Sequence, residues 1–122
     1  NQIETTLTLN AVPATVTVNH AMVAEKVGEV RFEEGNRASI VTPDELPECD
    51  VLNMDCEGAE LPILKNMSIT PRVVLVETHA QFGSPQDTII DILEQKGYKI
   101  VDVLGGREGM SQVAAVAQET AT

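Results

Sequence analysis

Short apolar segments alternate with polar, turn-rich segments along most of this chain. Residues 51–55 form a short, largely apolar run that ends in an acid and predicts a buried strand. Residues 73–76 are apolar throughout and mostly β-branched, which is typical of a strand covered on both faces in a parallel sheet. Between them, apolar residues recur at every third position and predict a helix over residues 58–67. The alternating order of strands and helices predicts an α/β fold with a layered, mostly parallel sheet, in which the strand at 73–76 is central.

Other segments predict further elements of the same layered fold. Gly97 ends a second helical pattern that begins near Pro85, and Thr42 precedes a Pro and acidic residues that predict one helical turn. Alternation predicts strands at residues 15–18, 98–103 and 112–117, with the last one open to an antiparallel arrangement, and short strands are predicted at 29–32 and 39–41.

Polar side chains follow both of the buried strands. Asp55 ends the first strand and Glu57 lies two residues later, and Glu77 and His79 end the second. If these strands are parallel neighbours, about 5 Å apart, all four side chains gather at one edge of the sheet. That edge is where open α/β folds bind ligands, and a poised carboxylate or imidazole there can remove a proton from a substrate hydroxyl.

Several residues in and near the motif also have a structural interpretation. Asp55 or Glu57 could cap the following helix, because a carboxylate near a helix N-terminus is stabilised by free backbone amides. Glu60 is expected to be a solvated acid of the first helical turn, and Gly58 a residue that lets the backbone turn from strand to helix. His20 is expected to be a polar residue at a strand end.

The run from Asp50 to Glu60, Asp-Val-Leu-Asn-Met-Asp-Cys-Glu-Gly-Ala-Glu, resembles a known signature. It is similar to the "hydrophobic, Lys, Ile, Asp, Val, Glu, Gly, Ala, Glu" motif of FkbM-type methyltransferases, which use S-adenosylmethionine. The resemblance extends from Asn1 to about Ile100. It includes segments similar to that family's helix end (7–10), third strand (14–21), hairpin (28–32) and a later strand that ends in Glu and His (73–79). Asn53 departs from the family, which usually has Lys there.

The resemblance implies methyl transfer to the hydroxyl group of a small-molecule acceptor. It also implies a partial Rossmann-like, class I methyltransferase sheet, with catalytic roles for Asp55, Glu57, Glu77 and His79. Such enzymes hold the cofactor with a Gly-rich turn after the first strand, and the pair Gly105-Gly106 instead follows the last long strand. The chain is therefore expected to be a single C-terminal part, residues 1–122, that lacks the first two strands and is inactive alone. No cofactor-binding residue is assigned.

Composition narrows the possible functions. A net charge of −11 argues against nucleic acid as a partner, and it fits either adaptation to high salt or an ordinary acidic protein. No apolar run approaches the roughly 20 residues that cross a bilayer, and no secretory leader is evident, so a cytoplasmic location without membrane contact is expected. Cys49 and Cys56 flank a strand and are expected to be buried or semi-buried free thiols.

Two further interpretations remain open from the residues. Asp55, Glu57, Glu77 and His79 could form a divalent-metal site, because oxygen-rich clusters with one imidazole suit Mg²⁺ or Mn²⁺. Alternatively, the chain could be a non-catalytic α/β module that binds a partner or forms a homo-oligomer through an exposed sheet edge.

Overall fold

The computed structural model describes residues 16, 21–23, 39–56, 58–106 and 109–118. Two short strands, β1 (Ala21–Val23) and β2 (Ser39–Val41), pair in parallel. A second sheet contains the strands β3 (Val51–Met54), β4 (Val73–His79), β5 (Tyr98–Gly105) and β6 (Met110–Ala117). The helices are α1 (Glu60–Asn66) and α2 (Gln86–Gln95), and single 3-10 turns lie at Pro43–Glu45 and Ala80–Phe82.

The larger sheet has the order β3, β4, β6, β5. Strand β3 runs parallel to β4, with Met54 opposite Val76, whereas β6 is antiparallel to both β4 and β5. The α/β class is thus confirmed, as are the interior position of β4 and the antiparallel direction of the last strand. The parallel β3–β4 pair brings two strand C-termini to the same edge of the sheet.

One face of the larger sheet packs against the two helices. The residues that are almost fully buried there come from alternate positions of the strands and from the apolar faces of α1 and α2: Val74, Val76, Val113, Ala115, Leu64, Ile89 and Leu93. These aliphatic residues form one contiguous core together with several partly buried neighbours. Their burial supplies most of the hydrophobic free energy of folding in this part of the chain.

The opposite face of the sheet is open in the part of the chain that the structure describes. Leu75 is 37% exposed, Val51 is 47% exposed, and Leu104 at the far side of the sheet is 59% exposed. The expectation that the strand at 73–76 is covered on both faces is therefore not met by the described residues. A continuous apolar run identifies a strand but does not report which of its faces has a neighbour.

The helical turn near Thr42 and the end of helix α2 lie where the sequence predicts them. Residues Pro43–Glu45 form the predicted helical turn, and the hydroxyl of Thr42 donates a hydrogen bond to Glu45 across 2.8 Å. Helix α2 ends where Gly97 adopts a φ of 90°, a conformation that glycine reaches without steric cost.

Several predicted features lie outside the described residues. They are the helix end at 7–10, most of the predicted third strand at 14–21 with His20, and the hairpin at 28–32. No helix in the described ranges is long and apolar enough to span a membrane. The cytoplasmic location stays a prediction.

Candidate functional site

The carboxyl ends of β3 and β4 bring together three of the four polar residues singled out in the sequence. Because Met54 lies opposite Val76 in the parallel register, Asp55 and Glu77 follow side by side. Asp55, Glu77 and His79 each place one oxygen or nitrogen atom within 4.8 Å of the other two. We call these three residues the strand-end cluster. Glu57, the fourth residue, lies outside the described part of the chain.

His79 is the buried member of the strand-end cluster. Its side chain is only 4% exposed, its Nδ1 atom lies 2.8 Å from Oε1 of Glu60, and its Nε2 atom lies 3.5 Å from Oδ1 of Asp55. An ionised carboxylate can only accept a hydrogen bond, so with an ionised Glu60 the proton of a neutral His79 ring resides on Nδ1. The Nε2 lone pair then faces the cluster.

Glu60 is a further residue of the site, and the expectation that it is a solvated acid is wrong. Its side chain is fully buried at the first position of α1. Its carboxylate turns back toward the preceding loop and accepts hydrogen bonds from the backbone N–H groups of Cys56, at 3.1 Å, and Gly58, at 2.7 Å. With His79 as a third partner, the carboxylate has enough hydrogen bonds to remain inside the protein.

A tight loop holds Glu60 in this position. Gly58 has a φ of 111°, and a Cβ atom there would lie 2.6 Å from Cβ of Phe82 and 2.7 Å from its carbonyl oxygen. Ser84, which is fully buried, donates its hydroxyl to the carbonyl of Gly58 at 3.0 Å and accepts the N–H of Leu61 at 3.3 Å. The backbone of Ser84 also pairs with that of His79 at 2.8 and 3.0 Å. Ser84 therefore ties the loop before α1 to the end of β4.

The two carboxylates of the strand-end cluster repel each other. The pKa of Glu77 lies above its ordinary value of 4.5, chiefly because a proton on Glu77 can be shared with the Asp55 carboxylate. Partial desolvation and the negative charges of Asp55 and Glu60 act in the same direction, while His79 opposes them. The site thus concentrates negative charge at one edge of the sheet, next to a single imidazole.

An open cavity of about 460 Å³ begins at this edge and continues over the uncovered face of the sheet. Asp55 and Glu77 line it at the cluster, with Asn53, Leu75 and Gln112 among its other lining residues. Its size is within the range of small-molecule sites. Asn53, which occupies the position of the signature lysine, therefore lines this cavity as a neutral residue where the family has a cation.

Two structural alternatives for the motif residues can now be judged. Asp55 does not cap α1, because the residue before the helix is Ala59 and no side chain caps it. Gly58 does make the turn expected of it.

Cys49 and Cys56 are free thiols, as predicted, but Cys56 is exposed instead of buried.

Comparison with known proteins gives one family match. The family model described as "Methyltransferase FkbM domain" matches residues 5–100. No curated protein matches the chain. A solved structure titled "Structure of the Pyocyanin Biosynthetic Protein PhzM" is similar with 18% identity and a TM-score of 0.40, over 93% of this chain and 46% of that one. The chain thus spans about half the length of that protein.

Proposed function

The chain belongs to the FkbM methyltransferase family, and on this premise we propose that it is part of an S-adenosylmethionine-dependent enzyme that methylates a hydroxyl group of a small molecule. The observation that carries the hydroxyl assignment is the strand-end cluster, in which Asp55, Glu77 and His79 have oxygen and nitrogen atoms within 4.8 Å of one another. These groups can hydrogen-bond a hydroxyl and stabilise its loss of a proton.

The reaction requires a nucleophilic oxygen. Bound S-adenosylmethionine would supply a methyl group on a positively charged sulfur. The residues of the strand-end cluster would orient the acceptor hydroxyl toward that methyl group and take up its proton. The chain's own contribution is to hold the hydroxyl at the cavity edge, where Asp55 and Glu77 are accessible to it. Glu57, by its place in the motif, is proposed as a further member.

The described residues do not fit the role of holding the cofactor. A Gly-rich turn that leads from a strand into a helix would be needed, and Gly105 and Gly106 instead end β5 on the way to β6. We therefore propose that residues other than those described hold S-adenosylmethionine and that the chain is inactive alone. The acidic edge at Asp55 and Glu77 remains suited to the acceptor hydroxyl.

Calorimetric titration with S-adenosylhomocysteine tests the cofactor part of this proposal. It would be carried out on this chain and on the longest native polypeptide that contains it. We expect binding with one site per chain to the longer polypeptide and none to the chain alone. Absence of binding to both, with the longer polypeptide shown to be folded by its cooperative thermal transition, would contradict the methyltransferase assignment.

Self-association is a second candidate function, and the uncovered sheet face favours it. Val51, Leu75 and Leu104 expose apolar surface there, and β3 is an edge strand of the described four-stranded sheet. Exposed apolar faces and unpaired edges promote association between chains. Light scattering of wild type and Leu75→Lys over a hundredfold concentration range would test this. A mass that rises with concentration only in the wild type supports it, whereas a monomer at every concentration excludes it.

A further inference from the structure

We propose that the strand-end cluster binds one divalent cation, Mg²⁺ or Mn²⁺, through Asp55, Glu77 and Nε2 of His79. The ion would in turn bind the oxygen of the methyl acceptor. The inference rests on the proposed function for the identity of the acceptor, but not for the ion itself, which the cluster would bind with no substrate present. Four observations on the described residues carry it.

The first observation is the spacing of the three candidate ligand atoms. Ligands around an octahedral ion with bonds of roughly 2.1 Å lie about 3.0 Å apart when adjacent and about 4.2 Å apart when opposite. The three atoms lie within 4.8 Å of one another, so an opposite pair would close by at most about 0.6 Å and an adjacent pair by at most about 1.8 Å. The Asp55 side chain is 62% exposed and is free to make such a movement. The backbone of the parallel β3–β4 pair can stay in place.

The second observation is the way in which His79 is held. A histidine that binds a metal through one ring nitrogen usually donates its other N–H to a carboxylate, which fixes the ring and its tautomer. Nδ1 of His79 has such a partner in the buried Glu60, at 2.8 Å. Nε2, on the opposite side of the ring, is 3.5 Å from Asp55, which is long for a hydrogen bond and leaves its lone pair for another partner.

The third observation is the stability of that support. Glu60 accepts two backbone hydrogen bonds besides the contact with His79, and it is fully buried. Ser84 holds the same loop against the end of β4. The fold therefore fixes the Nδ1 side of the imidazole, while Nε2 faces the carboxylates of Asp55 and Glu77. Metal-binding histidines are typically held in this way: a hydrogen-bond partner fixes the ring from one side, and the other ligands can adjust to the ion.

The fourth observation is charge. Three carboxylates, Asp55, Glu60 and Glu77, surround one imidazole, which must be neutral to bind an ion through Nε2, so the group then carries a formal charge of −3. An ion of charge +2 offsets most of this excess. Mg²⁺ and Mn²⁺ prefer carboxylate oxygens, and Mn²⁺ also accepts an imidazole nitrogen. Water or acceptor oxygens would complete the coordination sphere.

The ion would act directly on the acceptor. A hydroxyl bound to a divalent cation has a lowered pKa, and its proton can leave to solvent through the exposed side of the cluster, at Asp55. The resulting oxygen is the better nucleophile for the methyl carbon. The cluster would then select acceptors whose oxygen can reach the ion from the cavity over the open sheet face.

Titration with Mn²⁺ alone, followed by electron paramagnetic resonance of the free ion, tests the proposal on this chain. Wild type is compared with Asp55→Asn and Glu77→Gln, which change exposed or half-exposed side chains and keep their size. Glu94→Gln, on the exposed face of α2, removes the same charge away from the site. The titrations are made at about 0.15 M ionic strength, which screens the general attraction of an acidic surface for cations.

We expect one ion per chain in the wild type and in Glu94→Gln, competition by excess Mg²⁺, and at least a tenfold weaker affinity in each cluster variant. No bound ion, or binding that falls equally in Glu94→Gln, would overturn the proposal and leave His79 as a proton acceptor. The readout does not depend on cofactor binding. If this chain binds Mn²⁺ but the longer polypeptide does not bind S-adenosylhomocysteine, the result would support the metal site and contradict the methyltransferase assignment.

Discussion

Nδ1 of His79 lies 2.8 Å from Oε1 of Glu60, and both side chains are buried. This contact joins the end of β4 to the first residue of α1, and it fixes which ring nitrogen faces the strand-end cluster. Glu60 is thereby a positioning residue of the site and also a part of the fold. The structural role of Glu60 affects the free energy of unfolding, whereas its positioning role affects the tautomer of His79, so different measurements test the two roles.

Replacement of Glu60 tests its structural role. Glu60→Ala leaves the N–H groups of Cys56 and Gly58 and the ring of His79 without their acceptor. We expect the free energy of unfolding to fall by about 3–5 kcal/mol, as for removal of one partner from a buried charged pair. Urea unfolding measures this change. A loss as small as that of the exposed control Glu94→Gln would contradict the buried position of Glu60.

The milder variant Glu60→Gln separates positioning from stability. Its amide oxygen can still accept one hydrogen bond, but the NH₂ group cannot accept the Nδ1 proton. We expect the ¹⁵N chemical shifts of the His79 ring to show an increased share of the tautomer with the proton on Nε2, in a chain that still folds. Unchanged ring shifts would show that Glu60 does not set the tautomer.

Gly58 is the point where a side chain is least tolerated. Gly58→Ala combines a φ of 111° with a Cβ atom 2.6 Å from that of Phe82, whereas Gly97 has a φ of 90° and open space around it. We expect Gly97→Ala to cost roughly 1–2 kcal/mol of stability from backbone strain alone. Gly58→Ala should cost more and displace the loop that holds Glu60. Equal losses in thermal unfolding of the two variants would contradict the close packing of Phe82.

The hydrogen bond that protonated Glu77 shares with Asp55, together with the repulsion between the two ionised carboxylates, predicts a dependence on pH in the presence of a chelator. The folded-state pKa of Glu77 lies above its ordinary value of 4.5, so its stabilising contribution is present below that value and is lost as the pH rises through the raised pKa. Glu77→Gln should therefore have a higher Tm than wild type at pH 7. The difference should shrink toward zero below pH 4.5. A variant that is less stable at pH 7 would contradict the account.

The net charge of −11 predicts a dependence on salt. Repulsion among the acidic residues opposes the compact state, and added salt screens it. We expect the Tm of the chain to rise steadily when NaCl is increased from about 0.05 M to about 1 M. A protein adapted to high salt would lose its cooperative transition at the low end of this range. A constant Tm would indicate an ordinary acidic protein with well-dispersed charges.

The meeting of Asp55, Glu77 and His79 could be predicted from the sequence because it depends only on two parallel strands and their polar ends. The burial of Glu60 could not, because an acid in a first helical turn is usually solvated and the path of the preceding loop decides otherwise. The signal that was present is the glycine two residues earlier, which allows the tight turn. The role of Ser84 was also missed, since it depends on contact between loops that are distant in sequence.

For the fold, too, the local elements could be predicted from the sequence and the long-range pairing could not. Apolar runs and turn residues predicted the individual strands and helices, such as α2 with Gly97 at its end. The insertion of β6 between β4 and β5 could not be predicted, because pairing partners depend on long-range contacts that alternation does not encode. Leu75 shows the limit most clearly, since its place in an apolar run predicts a strand interior but not the presence of a second covering layer.

Transfer of a labelled methyl group tests the central claim, that the ends of β3 and β4 carry the chemistry. The longest native polypeptide containing this chain would be incubated with methyl-labelled S-adenosylmethionine and a small-molecule extract of its source organism. We expect label in a hydroxyl-derived methyl ether for wild type and for Glu94→Gln, and a loss of about 10²-fold or more in Glu77→Gln. Full activity in a correctly folded Glu77→Gln enzyme would contradict the claim.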